Sequence, residues 1–398
     1  MRFVLASNGT RGDIEPCAAV GRELLRRGHD AQMAVQSNML GFVESAGLAA
    51  VTYGTPRALL PDPEFNRNPS TIQNLISGLP EVIERFIQLW MDLGTALVAL
   101  ANGADLLLTA MTDHGLAANV AEYYKIPLAT LHPFPAQFWS PPPLLQFAMK
   151  QAEAAQRRAL GLPEATEPSP QALEIQAYDE LCFPELATEW AEQGGRRRPF
   201  VGALTLELPG DADEEVLSWI ATGTPPIYFG FGSTPVASPA DVVATISAAC
   251  TQLGERALIC SPTSDFTHIP DVDHVKVAGV LNYAAIFPAC RAVVHHGGAG
   301  TTAASLRAGI PTLILWTKAD QPVWAAAVTR LKVGCARQFS TTTPKSLVAD
   351  LRLILAPQYA SRAREVAAQM SKPAESVASA ADLLEDAARR APLTLNAP

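Results

Sequence analysis

The sequence predicts an α/β protein of two domains, each built on a parallel sheet. A βαβαβ rhythm opens the chain, the rhythm restarts after residue 215, and residues 291–321 read as strand, glycine turn, helix, strand. Parallel strands need long crossovers, and the helical runs between the apolar segments supply them.

Taken in order, Arg2–Ser7 is the first apolar strand, and the turn NGTRGDIEP leads into a helix from about Ile14 to Arg27, stopped by Gly28. Asp30–Val35 follows as a strand, Met39–Ala46 as a helix and Ala49–Tyr53 as the third strand. Residues 55–80 carry prolines and asparagines without a clear period and read as a loop, whereas Glu81–Ala101 has the period of a long amphipathic helix. Ala104–Ala110 and Ile126–His132 are strands around a helix near Leu116–Tyr124. Residues 133–200 are less regular, with the run PFPAQFWSPPP and a helix near Leu145–Leu160.

A shift to acidic residues around Pro209-Gly210, from Thr205 to Glu215, reads as the interdomain linker. The second half then gives strands at Ile227–Ser233, Ala257–Ser261 and His274–Ala278, with helices at Ala240–Leu253 and Tyr283–Pro288. After residues 291–321 come a helix at Pro322–Lys332, a strand at Cys335–Phe339 and helices to about Arg390. The expected domains are 1–205 and 206–375, with 376–398 a C-terminal helix packing back on the first domain and a frayed tail from Ala391.

Composition bounds the function. A hydrophobic content of 48% with 17% charged residues describes ordered cores, and 398 residues suit two domains. The net charge of −9 leaves no basic footprint for nucleic acid, and the short run Arg196–Arg198 does not change that. No apolar run is long enough to span a bilayer, and MRFVLAS lacks the layout of a secretory leader. Six scattered cysteines form no C-x-x-C pair and read as thiols in a reducing cytosol, where the sequon Asn8-Gly9-Thr10 is irrelevant. The expected location is cytoplasmic, with any contact at the inner membrane face peripheral, and the expected state a monomer or weak dimer.

The chemistry centres on RAVVHHGGAGTTAASLRAGIPTLILWTKADQ, residues 291–321. A helix whose first turn carries Gly and Thr leaves backbone N–H groups open to an anion, and the helix dipole adds to the attraction. A phosphate or diphosphate fits, at the carboxyl end of a strand where ligands of parallel sheets bind. Asp13 follows the first strand at a helix start, suited either to accept a hydroxyl proton as general base or to cap the helix. Asp113 and His114, also after a strand, are competing bases. The aromatic residues Phe134, Phe138, Trp139 and Phe147 lie in an apolar insertion suited to walling a greasy substrate or to ordinary packing.

GTRGDIEP, FGS, HHGGAGTT and ADQP, in that order, resemble the GT-B nucleotide-sugar glycosyltransferases of family 1, in the branch of sterol glucosyltransferases, glycopeptide-antibiotic transferases and mycobacterial glycolipid transferases. The resemblance spans nearly the whole chain. It implies two Rossmann-like domains facing across a cleft, acceptor in the first and UDP- or dTDP-sugar in the second, and transfer with inversion to a hydrophobic hydroxyl acceptor without a metal or other cofactor. Residue by residue, it implies Asp13 as base and His295 as the contact to the donor diphosphate. Gly297, Gly298, Gly300 and Thr301 would give further donors to the diphosphate, and Asp320 and Gln321 would bind sugar hydroxyls. Thr10, Arg11 and Ser233 are further donor-binding candidates, and Val280 and Leu281 fall at the nucleotide base, although Leu281-Asn282-Tyr283 departs from the family's text there. His296 reads as a structural neighbour of His295.

Other readings fit less well. Adjacent histidines on a strand point to opposite faces and do not chelate zinc together. The D-x-D matches Asp211–Asp213 and Asp271–Asp273 fall in linker or loop text, and neither glycine turn reads G-x-G-x-x-G. An epimerase of the same fold or a non-catalytic binding protein with a degenerate transferase fold are the alternatives. The retention of Asp13, His295 and Asp320 in one chain disfavours the binding protein.

Overall fold

The computed structural model describes residues 1–54, 69–138, 141–164, 172–192, 198–232, 238–260, 273–317 and 320–390, with the backbone alone for 69–82. Trp139, Ser233 and the tail from Ala391 therefore lie outside the described residues. The chain divides into two compact units, Met1–Ala177 with Gly194–Leu206 and Ala374–Pro398, and Tyr178–Gln193 with Glu207–Pro373.

In the first unit β1 (Arg2–Ala6), α1 (Arg11–Arg26), β2 (Asp30–Val35), α2 (Leu40–Ser45) and β3 (Ala49–Thr52) follow the expected rhythm. The long helix α3 runs Pro69–Ala101, so the described part of the expected loop, from Pro69, is helical and the helix continues through Pro80. Then come β4 (Leu106–Ala110), α4 (His114–Tyr124), β5 (Leu128–His132), α5 (Pro143–Ala159) and β6 (Leu173–Gln176). The strand β6 lay hidden in the irregular stretch. All pairings are parallel, in the order β3-β2-β1-β4-β5-β6.

The second unit holds α6 (Pro184–Glu192), α7 (Asp213–Ala221), β7 (Ile227–Gly230), α8 (Pro239–Leu253), β8 (Ala257–Cys260), β9 (Val275–Ala278) and α9 (Tyr283–Ile286). It continues with β10 (Ala292–His295), α10 (Ala299–Ala308), β11 (Thr312–Trp316), α11 (Gln321–Leu331), β12 (Gly334–Gln338), α12 (Pro344–Ile354) and α13 (Pro357–Ala367). Its sheet is also parallel, ordered β12-β11-β10-β7-β8-β9. Burial on both faces explains the continuous apolar runs of β7 and β10: Phe229 and Val294 pack toward α8 and α12, while Tyr228 and Val293 pack toward α7 and α9.

Both sheets reverse winding once, between β1 and β4 in the first and between β7 and β10 in the second. Ligands of such sheets bind at the carboxyl ends of the strands at that reversal. Asp13 and Asp113 follow β1 and β4, and Gly232 and His296 follow β7 and β10.

One boundary differs from expectation. Residues 178–193, read as part of the first domain, pack in the second unit, where Tyr178 and Phe183 meet Trp324 of α11 with ring centroids 6.3 and 5.3 Å away. Arg330 adds a hydrogen bond to the Cys182 carbonyl, and Asp179 Oδ1 accepts the Ser371 N–H at 2.6 Å. The last helix, α14 (Pro373–Arg390), is grouped from Ala374 on with the first unit. There Arg27, at the end of α1, reaches Asp382 at 2.6 Å and Glu385 at 3.1 Å, and His29 meets Glu385 at 3.0 Å.

Candidate active site

In the first unit the site is organised by Asp13. The chain leaves β1 through Ser7 and Gly9, and Thr10 becomes the N-cap of α1, with Asp13 in its third position. The carboxylate reaches back in a capping box: Oδ2 accepts the Thr10 N–H at 2.8 Å and the Thr10 hydroxyl at 3.1 Å. The Ser7 hydroxyl donates to the Asp13 carbonyl at 2.9 Å. Gly9 is demanded by this packing, since a Cβ there would stand 2.3 Å from Oδ2. Asp13 is thus the N3 acid of a capping box and not the N-cap itself.

Thr10 and Arg11, expected to meet the donor, are engaged within the first unit. The Thr10 hydroxyl is spent on Asp13, and Arg11 Nε donates to Glu15 at 2.7 Å while its guanidinium lies 4.9 Å from the Phe42 ring centroid. Asp113 is buried next to Tyr53, and its charge, with that of Asp13, reinforces burial in pushing the Cys17 thiol up to about 12. His114 accepts from or donates to Thr130 Oγ1 across 2.8 Å, and burial lowers its pKa. Of the aromatic wall, Phe134 is half-buried, while Phe138 and Phe147 are about half exposed.

In the second unit the paired histidines occupy different surroundings. His295 is the last residue of β10 and is sealed in the interior at 1% exposure. Its Nδ1 accepts the Gly297 N–H at 3.0 Å, and burial drives its pKa far down, so the ring is neutral and shapes the turn. Neighbouring strand positions face opposite ways, and His296 takes the other side. Its ring is wedged between two glycines: a Cβ on Gly232 would stand 2.4 Å from Cε1, and one on Gly298 2.6 Å from Nε2. Gly232 also sits at φ +58°, where glycine is favoured. His296 thus stands half-buried at the strand exit, while His295, the residue assigned to the diphosphate by the resemblance, lies beneath it with Nε2 buried and without a partner among the described residues.

Gly297 has φ +94° and lies against Ile314 and Gln321, so it turns the chain tightly into α10. Gly298 is the N-cap, which leaves the N–H groups of Ala299, Gly300 and Thr301 without intrahelical acceptors. No described residue comes within 4 Å of a Cβ placed on Gly300, so there is open space beside the first turn at that position. Asp320 is the half-buried N-cap residue of α11. Gln321 is less available than expected, because its Oε1 accepts both the N–H and the hydroxyl of Thr317, at 2.7 and 2.9 Å. Val280 is 51% exposed beside buried Leu281, and Asn282 caps α9 through the Ala284 N–H. Among the described residues, no group of three or more His, Cys, Asp or Glu side chains could hold a metal ion, and no helix is long and apolar enough to cross a membrane.

Comparison with known proteins adds to this geometry. Residues 3–147 match the glycosyltransferase family 28 N-terminal domain, and residues 255–384 match the erythromycin biosynthesis protein CIII-like C-terminal domain. The chain is similar to an uncharacterized glycosyltransferase of Mycobacterium tuberculosis, 58% identical over 98% of this chain and all of that one. The vancomycin aglycone glucosyltransferase of Amycolatopsis orientalis is 28% identical over the full length of both. Among solved structures, the glycosyltransferase VinC in complex with dTDP superposes with a TM-score of 0.67 at 18% identity, over 98% of this chain and 100% of that one.

Proposed function

The chain belongs to the GT-B family 1 glycosyltransferases, and on that premise we propose that it is an inverting transferase moving a hexose or deoxyhexose from a UDP- or dTDP-sugar to a hydroxyl of a hydrophobic acceptor. Asp13 takes the proton of that hydroxyl as its oxygen attacks the anomeric carbon, and the bond to the nucleoside diphosphate breaks on the opposite face. The departing charge is received by the open N-terminus of α10 and by His296, which supply without a metal the stabilisation that a divalent cation supplies elsewhere. Asp320 holds sugar hydroxyls, with Gln321 in a lesser part, and Val280 borders the base. Phe134 and Phe138 border the acceptor.

The observation that carries the reading is the glycine-bounded ring of His296 beside the first turn of α10, whose N-cap Gly298 offers no side-chain cap. It joins a neutral donor side chain to a row of backbone N–H groups at the sheet's reversal, a set suited to a diphosphate and to little else. The VinC complex, similar in fold, holds dTDP and is consistent with such a ligand. The test is a mass-spectrometric transfer screen with UDP-glucose and dTDP-rhamnose against lipid, sterol and phenolic acceptors. Transfer that depends on both donor and acceptor supports the reading; donor consumed without acceptor, or no transfer from any pair, contradicts it.

A further inference from the structure

The carboxyl edge of β4 and β5 carries polar side chains that the chemistry above does not use. Thr109 of β4 is in register with Thr130 of β5, and Thr130 with Glu174 of β6, so the three stand in one row on one face of the sheet. His132 follows Thr130 by two residues and emerges on the same face, one step nearer the carboxyl edge. His114 reaches Thr130 Oγ1 across 2.8 Å from the start of α4, which places that helix start on this face.

These groups are deeply buried: Thr109 and Thr130 are 0% exposed and His132 is 6% exposed. Buried polar atoms ordinarily find partners, because an unpaired one loses its hydrogen bonds to water without replacement. Here both ring nitrogens of His132 and the hydroxyl of Thr109 have no partner among the described residues. Three such orphans at one sheet edge call for an occupant with its own donors and acceptors.

Charge narrows its chemistry. Burial, with the neighbouring His114 and Arg198, pushes His132 down to about 3, and burial lowers His114, so both rings are neutral and each offers one donor and one acceptor. The Arg198 guanidinium is paired with Glu174 at 2.6 Å. A neutral donor–acceptor set with the Arg198 charge beside it balanced suits a hydroxyl, which itself donates and accepts, better than an anion or an ammonium.

We infer that this edge is a recognition site for a second, non-reacting hydroxyl of the acceptor, held by His132 and Thr109, so that the acceptor is a neutral molecule joining a hydroxyl-bearing head to an apolar body. The inference rests on the transferase reading for its acceptor, but its ligand test does not need turnover. An ordered water is the other source of a hydroxyl in the same place, and the variants below separate the two.

The probes are hexyl β-D-glucopyranoside and 1-hexanol, titrated into the full-length protein by calorimetry and by ring-nitrogen NMR of histidine-labelled protein. The glucoside is expected to bind roughly tenfold or more tightly than the alcohol and to shift the His132 signals, and His132→Phe should abolish that preference while leaving dTDP affinity unchanged. Thr109→Val, which keeps the side-chain shape, should weaken glucoside binding in the same direction and guards against a folding defect in the first variant. Equal affinity for the two probes, or variants that change the melting temperature but not glucoside affinity as a buried water would require, overturns the inference. Loss of dTDP binding in the wild-type protein would instead count against the transferase reading and leave the glucoside result standing.

Discussion

Thr10 and Asp13 are locked together: the backbone N–H and the hydroxyl of Thr10 both donate to Oδ2 of Asp13, at 2.8 and 3.1 Å. A carboxylate held by two donors has a fixed orientation. Removing one donor should loosen that orientation. Thr10→Val, which keeps the N–H, is expected to lower kcat roughly tenfold while leaving dTDP affinity unchanged. Thr10→Ser should restore the wild-type rate. Wild-type turnover by Thr10→Val would show that the hydroxyl serves the helix cap alone.

Gly9 protects the same carboxylate by having no side chain. With a Cβ at that position 2.3 Å from Oδ2, Gly9→Ala must displace either the loop or Asp13. Turnover is expected to fall roughly tenfold or more while dTDP affinity, assigned above to residues of the second unit, stays the same. Steady-state kinetics alongside calorimetry checks both parts, and wild-type turnover would mean that the position of the carboxylate is immaterial.

The two histidines of the second unit should separate cleanly. His296→Ala removes the ring between Gly232 and Gly298 and is expected to weaken dTDP or UDP binding by roughly tenfold or more, with little change in melting temperature. His295→Ala empties a fully buried site and cuts its bond to the Gly297 N–H, so it should lower the melting temperature first. Calorimetry and thermal unfolding on both variants test this, and an affinity loss confined to His295→Ala would reinstate that residue as the ligand.

Acid should destabilise the protein through its buried neutral histidines. His132 is held near 3 in the fold against 6.5 for an unperturbed ring, and His295 is shifted in the same direction. As pH falls below about 6.5 the unfolded chain takes up protons that the folded chain refuses, so stability present above that pH is lost progressively on the way down to about 3. The urea midpoint should therefore fall between pH 7 and 4.5, and His132→Phe should reduce the slope by about one proton. An unchanged slope in that variant would show that His132 is already solvated.

Much of this fold was legible because parallel strands buried on both faces read as short apolar runs, and because the glycine turn between β10 and α10 follows from chain geometry alone. The helix from Pro69 was concealed by Pro80 and by Gly78, local breakers that the longer helix overrides. The placement of residues 178–193 in the second unit depends on Tyr178 and Phe183 meeting Trp324, a contact between residues some 140 positions apart in the chain that no local pattern announces. Asp13 could be found from its place after the first strand. Which of the two histidines lies at the strand exit could not, since that turns on whether the strand ends before or after His295, and a one-residue change exchanges the two faces. His132 left only one signal, a histidine closing an otherwise apolar strand.

Asp13→Asn is the most direct test of the central claim. The amide oxygen can still accept from Thr10, so the start of α1 should survive, while the proton acceptor is gone. The variant is expected to bind dTDP with wild-type affinity and to transfer sugar roughly a hundredfold or more slowly. Near-normal transfer by Asp13→Asn would contradict the assignment of Asp13 as the base.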